Sequence, residues 1–358
     1  LYGFGNIQIW IQRALTFLVI SCPCALVISV PLTFFCALGN ASGQGILIKG
    51  SNYIEKLSKP YAIVFDKTGT LTAGKFKVSG INPIEGISKN NLIEYAAYAE
   101  YYSNHPIAIA IKNEYNLPVD INRIKNVQEF SGKGIIIDLD GHKIKAGNKE
   151  LFNNLKNIQE EASVFLTVDE KYIGYITLSD EIKANAQNTI KTINNLNIKT
   201  FMLTGDNKKN AKSIADKLGI LKYSAELLPA DKVIEIEKLI NKKEGSIIFV
   251  GDGINDAPVL MRSDIGIAMG AMGSDAAIEA SDIVITDDDI SKIYKAVLIS
   301  KKTMLIAKQN IIFAIGIKVI FLILGAMGFM TMWGAVFADT GTALLAVLNS
   351  LRMIKSKI

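Results

Sequence analysis

Between Lys49 and Lys308 this chain has no cysteine. Its three cysteines, Cys22, Cys24 and Cys36, all sit in one apolar run near the start. That scarcity excludes a small fold stapled by disulfides and suits a reducing cytosol for the polar part. There is no basic block and no aromatic ladder, and the net charge is only +5, which argues against nucleic acid as a partner. Internal repeats and low-complexity tracts are also missing. No cleavage site of small residues follows the first hydrophobic segment, which is too long and too polar in its middle for a signal peptide. The chain opens on Leu1 instead of Met, and is expected to be part of a longer protein.

Apolar length is what the sequence has in supply. The mean hydropathy is positive, as expected for a soluble core flanked by membrane segments. A spanning helix needs about 20 apolar residues. Three segments qualify, near 11–38, 311–330 and 333–351, the last two forming a hairpin. Lysines and arginines follow the first, precede the second and follow the third, and none lies in the hairpin turn. The positive-inside rule then places Lys49 to Lys308 and the C-terminus in the cytoplasm. The first span contains "SCPCALVISVP", Ser21 to Pro31. Pro23 removes a backbone N–H and kinks the helix, a break tolerated where it lines a site. On an intact helix Cys22 and Cys24 would point about 200° apart. Local unwinding at Pro23 would let both sulfurs face one ion, and soft thiolates select Cu(I), Zn²⁺ and similar metals.

The cytoplasmic part alternates short β-branched runs ("YAIVFD", "KTFMLTGD", "SIIFVGDG", "DIGIAMG", "DIVITD") with helical patterns such as 207–218 and 231–240. This predicts an α/β fold, a parallel sheet with helices on both faces and ligands at the carboxyl ends of its strands. Residues 76–178 interrupt the pattern with strands and helices of their own and are read as an inserted α+β domain. The resulting division is 1–48 membrane helix, 49–75 and 179–300 the two parts of the α/β domain, 76–178 the insert, and 301–358 the membrane hairpin.

"DKTGTLT", Asp66 to Thr72, follows the strand "AIVF" and presents a carboxylate beside a glycine-containing turn. Alone it would be an ordinary helix cap. Three further strand ends change that reading. "TGD", with Thr204, Gly205 and Asp206, brings a hydroxyl and backbone N–H groups. "LLPADK" brings the Lys232 cation, and "GDGINDAP" brings the carboxylates Asp252 and Asp256 as hard ligands for Mg²⁺. In these motifs the chain resembles the P-type ATPases, which share the haloacid dehalogenase-like Rossmannoid phosphotransferase fold. The resemblance implies that Asp66 is phosphorylated from ATP. It implies that Lys67, Thr68, Thr204, Gly205, Asp206 and Lys232 surround the phosphate. Asp66, Thr68 and Asp252 would hold Mg²⁺, with Asn255 and Asp256 beside them. Phosphatases of this fold carry an acid two residues after the nucleophile. Thr68 stands there instead, so hydrolysis of an aspartyl-phosphate should be slow.

Within the insert, "AAYAEYYSNHP", "SGKGI" and "AGN" resemble the heavy-metal branch of that family, where Glu100, His105, Gly132, Gly134 and Asn148 would line the adenosine pocket. The C-P-C, with Lys318 and Asp339 in the later spans, resembles the zinc/cadmium/lead branch. Cys22, Cys24 and Asp339 would then ligate the transported Zn²⁺, Cd²⁺ or Pb²⁺, with Lys318 as counter-charge. A charge at mid-membrane costs roughly 2.5–3.5 kcal/mol, so it is seldom idle. Cu(I) export is the nearest alternative, and a membrane-anchored phosphatase a more distant one. The resemblance also implies a multi-pass protein of the bacterial plasma membrane, in contact with lipid. Its actuator domain, earlier helices and any N-terminal metal-binding domain would lie outside this chain.

Overall fold

The structure, a computed structural model, describes residues 7–130, 132–152, 164–241, 245–252, 256–270, 275–354 and 356. The chain divides into two units, Leu1–Leu71 with Ala184–Ile358, and Thr72–Lys183.

The larger unit begins with α1 (Ile7–Ser21) and α2 (Cys24–Gly43), two halves of one apolar segment broken at Pro23. Pro23 has no N–H to offer Val19, whose carbonyl takes the Cys22 N–H at 3.3 Å instead. Then come β1 (Ile46–Ile48), α3 (Ser51–Leu57) and β2 (Pro60–Asp66). Ala62, Ile63, Val64 and Phe65 of β2 are all fully buried, as expected of a central parallel strand covered on both faces.

The smaller unit follows with β3 (Thr72–Pro83), α4 (Lys89–Ala99), α5 (Pro106–Tyr115), β4 (Ile124–Phe130), β5 (Gly134–Leu139), β6 (His142–Gly147), β7 (Val164–Val168) and β8 (Lys171–Ile182). Among the described residues its strands form one antiparallel sheet in the order β3-β8-β7-β6-β5-β4. Ile135, Ile137 and Leu139 alternate inward from β5 and share a core with Leu92, Ala96 and Ile111 of the two helices. The unit starts and ends a few residues outside the sequence-based limits of 76 and 178. The cause is the pairing of β3 with β8, which closes at Thr72 opposite Ile182. Those end segments are polar and lack the alternation that marks a strand.

The larger unit resumes with α6 (Ala186–Asn195), β9 (Lys199–Leu203), α7 (Lys208–Leu218), β10 (Lys222–Ser224), α8 (Pro229–Ile240), β11 (Ser246–Gly251), α9 (Ala257–Arg262), β12 (Ile265–Met269), α10 (Asp275–Ala280) and β13 (Ile283–Ile285). Its sheet runs β1-β13-β12-β11-β2-β9-β10, parallel except for the edge strand β1. The carboxyl ends of β9, β2 and β11 are neighbours, which is where ligands of such sheets sit.

The chain then runs into α11 (Lys292–Ala326), α12 (Met332–Val336) and α13 (Thr342–Leu351). The three segments Arg13–Gly43, Lys292–Ala326 and Met332–Leu351 are long and apolar enough to cross a membrane. The middle one starts well before residue 311. Its first turns are buried through Ile293, Ala296, Val297 and Ile299, so a single helix leads from the α/β domain into the apolar region. Between α12 and α13 the helix widens into a π-turn over Phe337–Gly341, a device often found at functional sites.

Candidate functional site

Asp66 ends β2 and is 5 % exposed. The Lys232 ammonium reaches it from α8, at 2.6 Å from Oδ1, and also bonds Asp256 Oδ1 at 2.8 Å. Pro229 opens α8, and the Asp231 carboxylate accepts the Leu228 N–H at 3.0 Å, so the helix start that aims Lys232 is locally encoded. The Lys67 ammonium bonds Asp206 Oδ2 at 2.7 Å. The Asp206 N–H in turn donates to Thr204 Oγ1 at 3.1 Å. Backbone bonds from Glu226 to Asp206 and from Leu227 to Thr204 tie that strand end to the loop before α8.

Gly69, at φ +73°, lies in the turn after Asp66. A Cβ there would come within 3.1 Å of an Asp252 carboxylate oxygen, so the glycine lets Asp252 approach the turn. Thr68 is exposed on the same turn, and Gly205 sits between its two partners at the end of β9. Asn255 lies outside the described residues. Burial, then the neighbouring Asp256 carboxylate, push the Asp66 pKa up to about 7, with Asp252 adding to the effect and Lys232 opposing it. Asp66 and Asp256 share the one Lys232 ammonium, with Asp252 also near Asp66, a set of carboxylates that a hard divalent cation would relieve, so these residues fit Mg²⁺.

In the smaller unit, Glu100, His105, Gly132, Gly134 and Asn148 line one cavity of about 190 Å³. His105 caps α5: its Nδ1 accepts the Ile107 N–H at 3.3 Å, which leaves Nε2 for a ligand. The Asn148 amide donates to the Gly132 carbonyl at 2.8 Å and so closes the loop between them. Gly134 has φ +145°, and a Cβ there would collide with the backbone of Ala146 and Gly147. Glu100 is buried, and desolvation pushes its pKa up to about 7. Sequence reasoning missed Lys112. Its ammonium holds the Tyr101 and Ser103 carbonyls, at 3.1 and 2.8 Å, and so shapes the loop after Glu100. The available signal was a lone lysine ending the apolar run "PIAIAI".

In the apolar segments, the sulfurs of Cys22 and Cys24 and one oxygen of Asp339 lie within 4.8 Å of one another. The break at Pro23 therefore brings both sulfurs to one place. The structure joins them as a disulfide, a pairing not anticipated from the sequence, and a metal would need the reduced pair. Asp339 comes from the π-turn. Lys318 of α11 bonds Asp339 Oδ1 at 3.3 Å and donates to the Ile20 carbonyl at 3.1 Å, one of the groups left at the end of α1. Cys36 is buried apart from them.

Residues 61–264 match the haloacid dehalogenase-like hydrolase family. A cadmium, zinc and cobalt-transporting ATPase of Bacillus subtilis (strain 168) is 51 % identical over 97 % of this chain, which covers 51 % of that protein. A zinc-transporting ATPase of Synechocystis sp. is 46 % identical over 97 % of this chain and 49 % of its own length. The chain thus spans about half the length of these curated relatives. The crystal structure of a zinc-transporting PIB-type ATPase in its E2.Pi state superposes with a TM-score of 0.87 at 36 % identity, covering 97 % of this chain and 58 % of the other.

Proposed function

We propose a function from one premise: this chain belongs to the haloacid dehalogenase-like hydrolases and, among them, to the heavy-metal P-type ATPases. It carries the phosphorylation, nucleotide and membrane metal sites of an exporter of a soft divalent cation, Zn²⁺, Cd²⁺ or Pb²⁺. The observation that carries this reading is the trio Cys22, Cys24 and Asp339, together with Lys318, in the same unit as the Asp66 site. Two thiolates and a carboxylate suit a tetrahedral divalent ion better than Cu(I), which two or three sulfurs satisfy.

In this reading the smaller unit presents ATP, and an Asp66 carboxylate oxygen attacks the γ-phosphorus. The bond from phosphorus to the bridging oxygen breaks, ADP leaves, and an aspartyl-phosphate remains. Lys232 and Lys67 balance charge on the phosphoryl oxygens. Asp66, Thr68 and Asp252 would hold Mg²⁺, which supplies positive charge to the transferring group. Thr68 cannot take a proton from water, so the intermediate lasts long enough to drive a conformational change. The 35 residues of α11, about 52 Å of helix, connect the α/β domain with the membrane site. Lys318 would balance the ligand charges once the metal leaves.

The test is ATPase activity of the full-length protein against Zn²⁺, Cd²⁺, Pb²⁺ and Cu(I), alongside Asp339→Ala. Stimulation by the divalent ions, lost in the variant while Asp66 still labels from inorganic phosphate, supports the assignment. Stimulation by Cu(I) alone, with Asp339→Ala unaffected, replaces it with Cu(I) export.

A further inference from the structure

A second polar cluster lies on α2, α11 and α13, which carry or directly follow Cys24, Lys318 and Asp339. Thr33 of α2 and Ser350 of α13 share a hydrogen bond of 2.8 Å. Asn310 of α11 donates to Ser350 Oγ at 2.9 Å and lies 3.4 Å from Thr33 Oγ1. Asn349 donates to Asn310 Oδ1 at 2.8 Å, and Ser350 reaches the Ser29 carbonyl at 3.0 Å. Ser29, Thr33, Asn310 and Ser350 are at most 1 % exposed. None carries a charge, and the bonds among them are too short to admit an ion. The cluster is therefore not a second cation site.

Its value lies in its placement. Thr33 is nine residues beyond Cys24, Asn310 eight before Lys318, and Ser350 eleven beyond Asp339. At 1.5 Å per residue these offsets are about 12–16 Å, so the cluster forms a layer roughly parallel to the metal layer. Apolar side chains pack a helix against its neighbours but tolerate axial slip. Hydrogen bonds between buried side chains do not, because a slip of one residue leaves donors unpaired where no water can replace the partner. A further tie on the same side, from the Asn40 amide to the Met353 carbonyl at 2.7 Å, joins α2 to the segment after α13.

We propose that Asn310, with Thr33 and Ser350, is a positioning centre that holds α2, α11 and α13 in one axial register and so sets the distance of Asp339 from the Cys22–Cys24 pair for the cation. This rests on the export reading above. Asn310 is the hub because it bonds both other helices at once and itself accepts from Asn349. Thr33→Val keeps the side-chain shape and removes the hydroxyl, whereas Thr33→Ser keeps the hydroxyl.

The full-length protein tests this by the Zn²⁺ concentration for half-maximal ATPase activity and by labelling of Asp66 from inorganic phosphate. Asn310→Leu and Thr33→Val should each raise the half-maximal Zn²⁺ concentration about three- to ten-fold, with the maximal rate and phosphate labelling retained. Thr33→Ser should restore the wild-type value. Unchanged Zn²⁺ dependence in both variants overturns the positioning role, as does a Thr33→Ser protein as impaired as Thr33→Val. A loss of phosphate labelling together with Zn²⁺ response would make the cluster general structural support and also overturns it. Wild-type protein that no metal stimulates would instead remove the export reading, and this inference with it.

Discussion

Asp66 and Glu100 are both buried acids whose pKa values are pushed up to about 7, yet their surroundings differ in kind. Asp66 is desolvated and crowded by Asp256 and Asp252, while the Lys232 ammonium sits at 2.6 Å. Glu100 is desolvated beside Ser103, with the Lys112 ammonium committed to backbone carbonyls. The first site gathers negative charge that a divalent cation would offset, and in the proposed reaction the ionised Asp66 is the nucleophile. The second relieves its burial by taking up a proton, and in that neutral form it can donate a hydrogen bond to an uncharged ring. In the proposed function the same elevated pKa accompanies a group suited to covalent chemistry in one unit and to recognition in the other.

Replacing the proposed nucleophile gives the largest expected effect. Asp66→Asn should abolish the acid-stable, hydroxylamine-labile phosphoenzyme formed from ATP by the full-length protein, and persistent labelling would move the nucleophile elsewhere. Next is the cation on which the charge excess depends. Lys232→Met should slow phosphoenzyme formation by about 10²–10³-fold, since the acids and the incoming phosphate lose their preorganised partner. A loss below about ten-fold in rapid-quench measurements would reduce Lys232 to a structural ion pair.

The third contrast is in pH. Glu100 titrates near 7 when folded and near 4.5 when unfolded, so the folded unit binds the extra proton between those values. Stability of the isolated unit Thr72–Lys183 should therefore fall as pH rises from 4.5 to 7. Glu100→Gln should remove most of that slope and melt above wild type at pH 8. Parallel melting curves for the two proteins across that range would show that burial does not govern this acid. Smallest of all, His105→Ala in the same unit should weaken ATP binding a few-fold by calorimetry, because one ring contact and one helix cap are lost together. Equal affinity would place His105 outside the pocket.

Much of this was legible in the chain because the signals are local. A β-branched run ending in Asp, followed by a glycine turn, specifies a strand end with a carboxylate wherever it occurs, and β2, β9 and β11 formed where their sequences said. Pro23 breaks its helix by covalent structure, so the interruption between α1 and α2 needed no tertiary information. The uncharged stretch from Ala14 to Ile48 reads as a span for the same reason.

What the sequence could not decide were matters of distance between segments far apart in the chain. That Lys232 bridges Asp66 and Asp256, and that Asp339 reaches Cys22 and Cys24, depends on how sheet and helices pack. The outer ends of β3 and β8 fell beyond the limits of 76 and 178 because polar strand ends acquire their conformation from pairing with a neighbour, not from their own side chains. The π-turn that carries Asp339 has no sequence signature, since it arises where one helix must adjust to others. The Asn310 cluster was invisible for a related reason. Single Ser, Thr and Asn residues in apolar helices are common, and only the crossing of three helices turned these into one hydrogen-bonded layer.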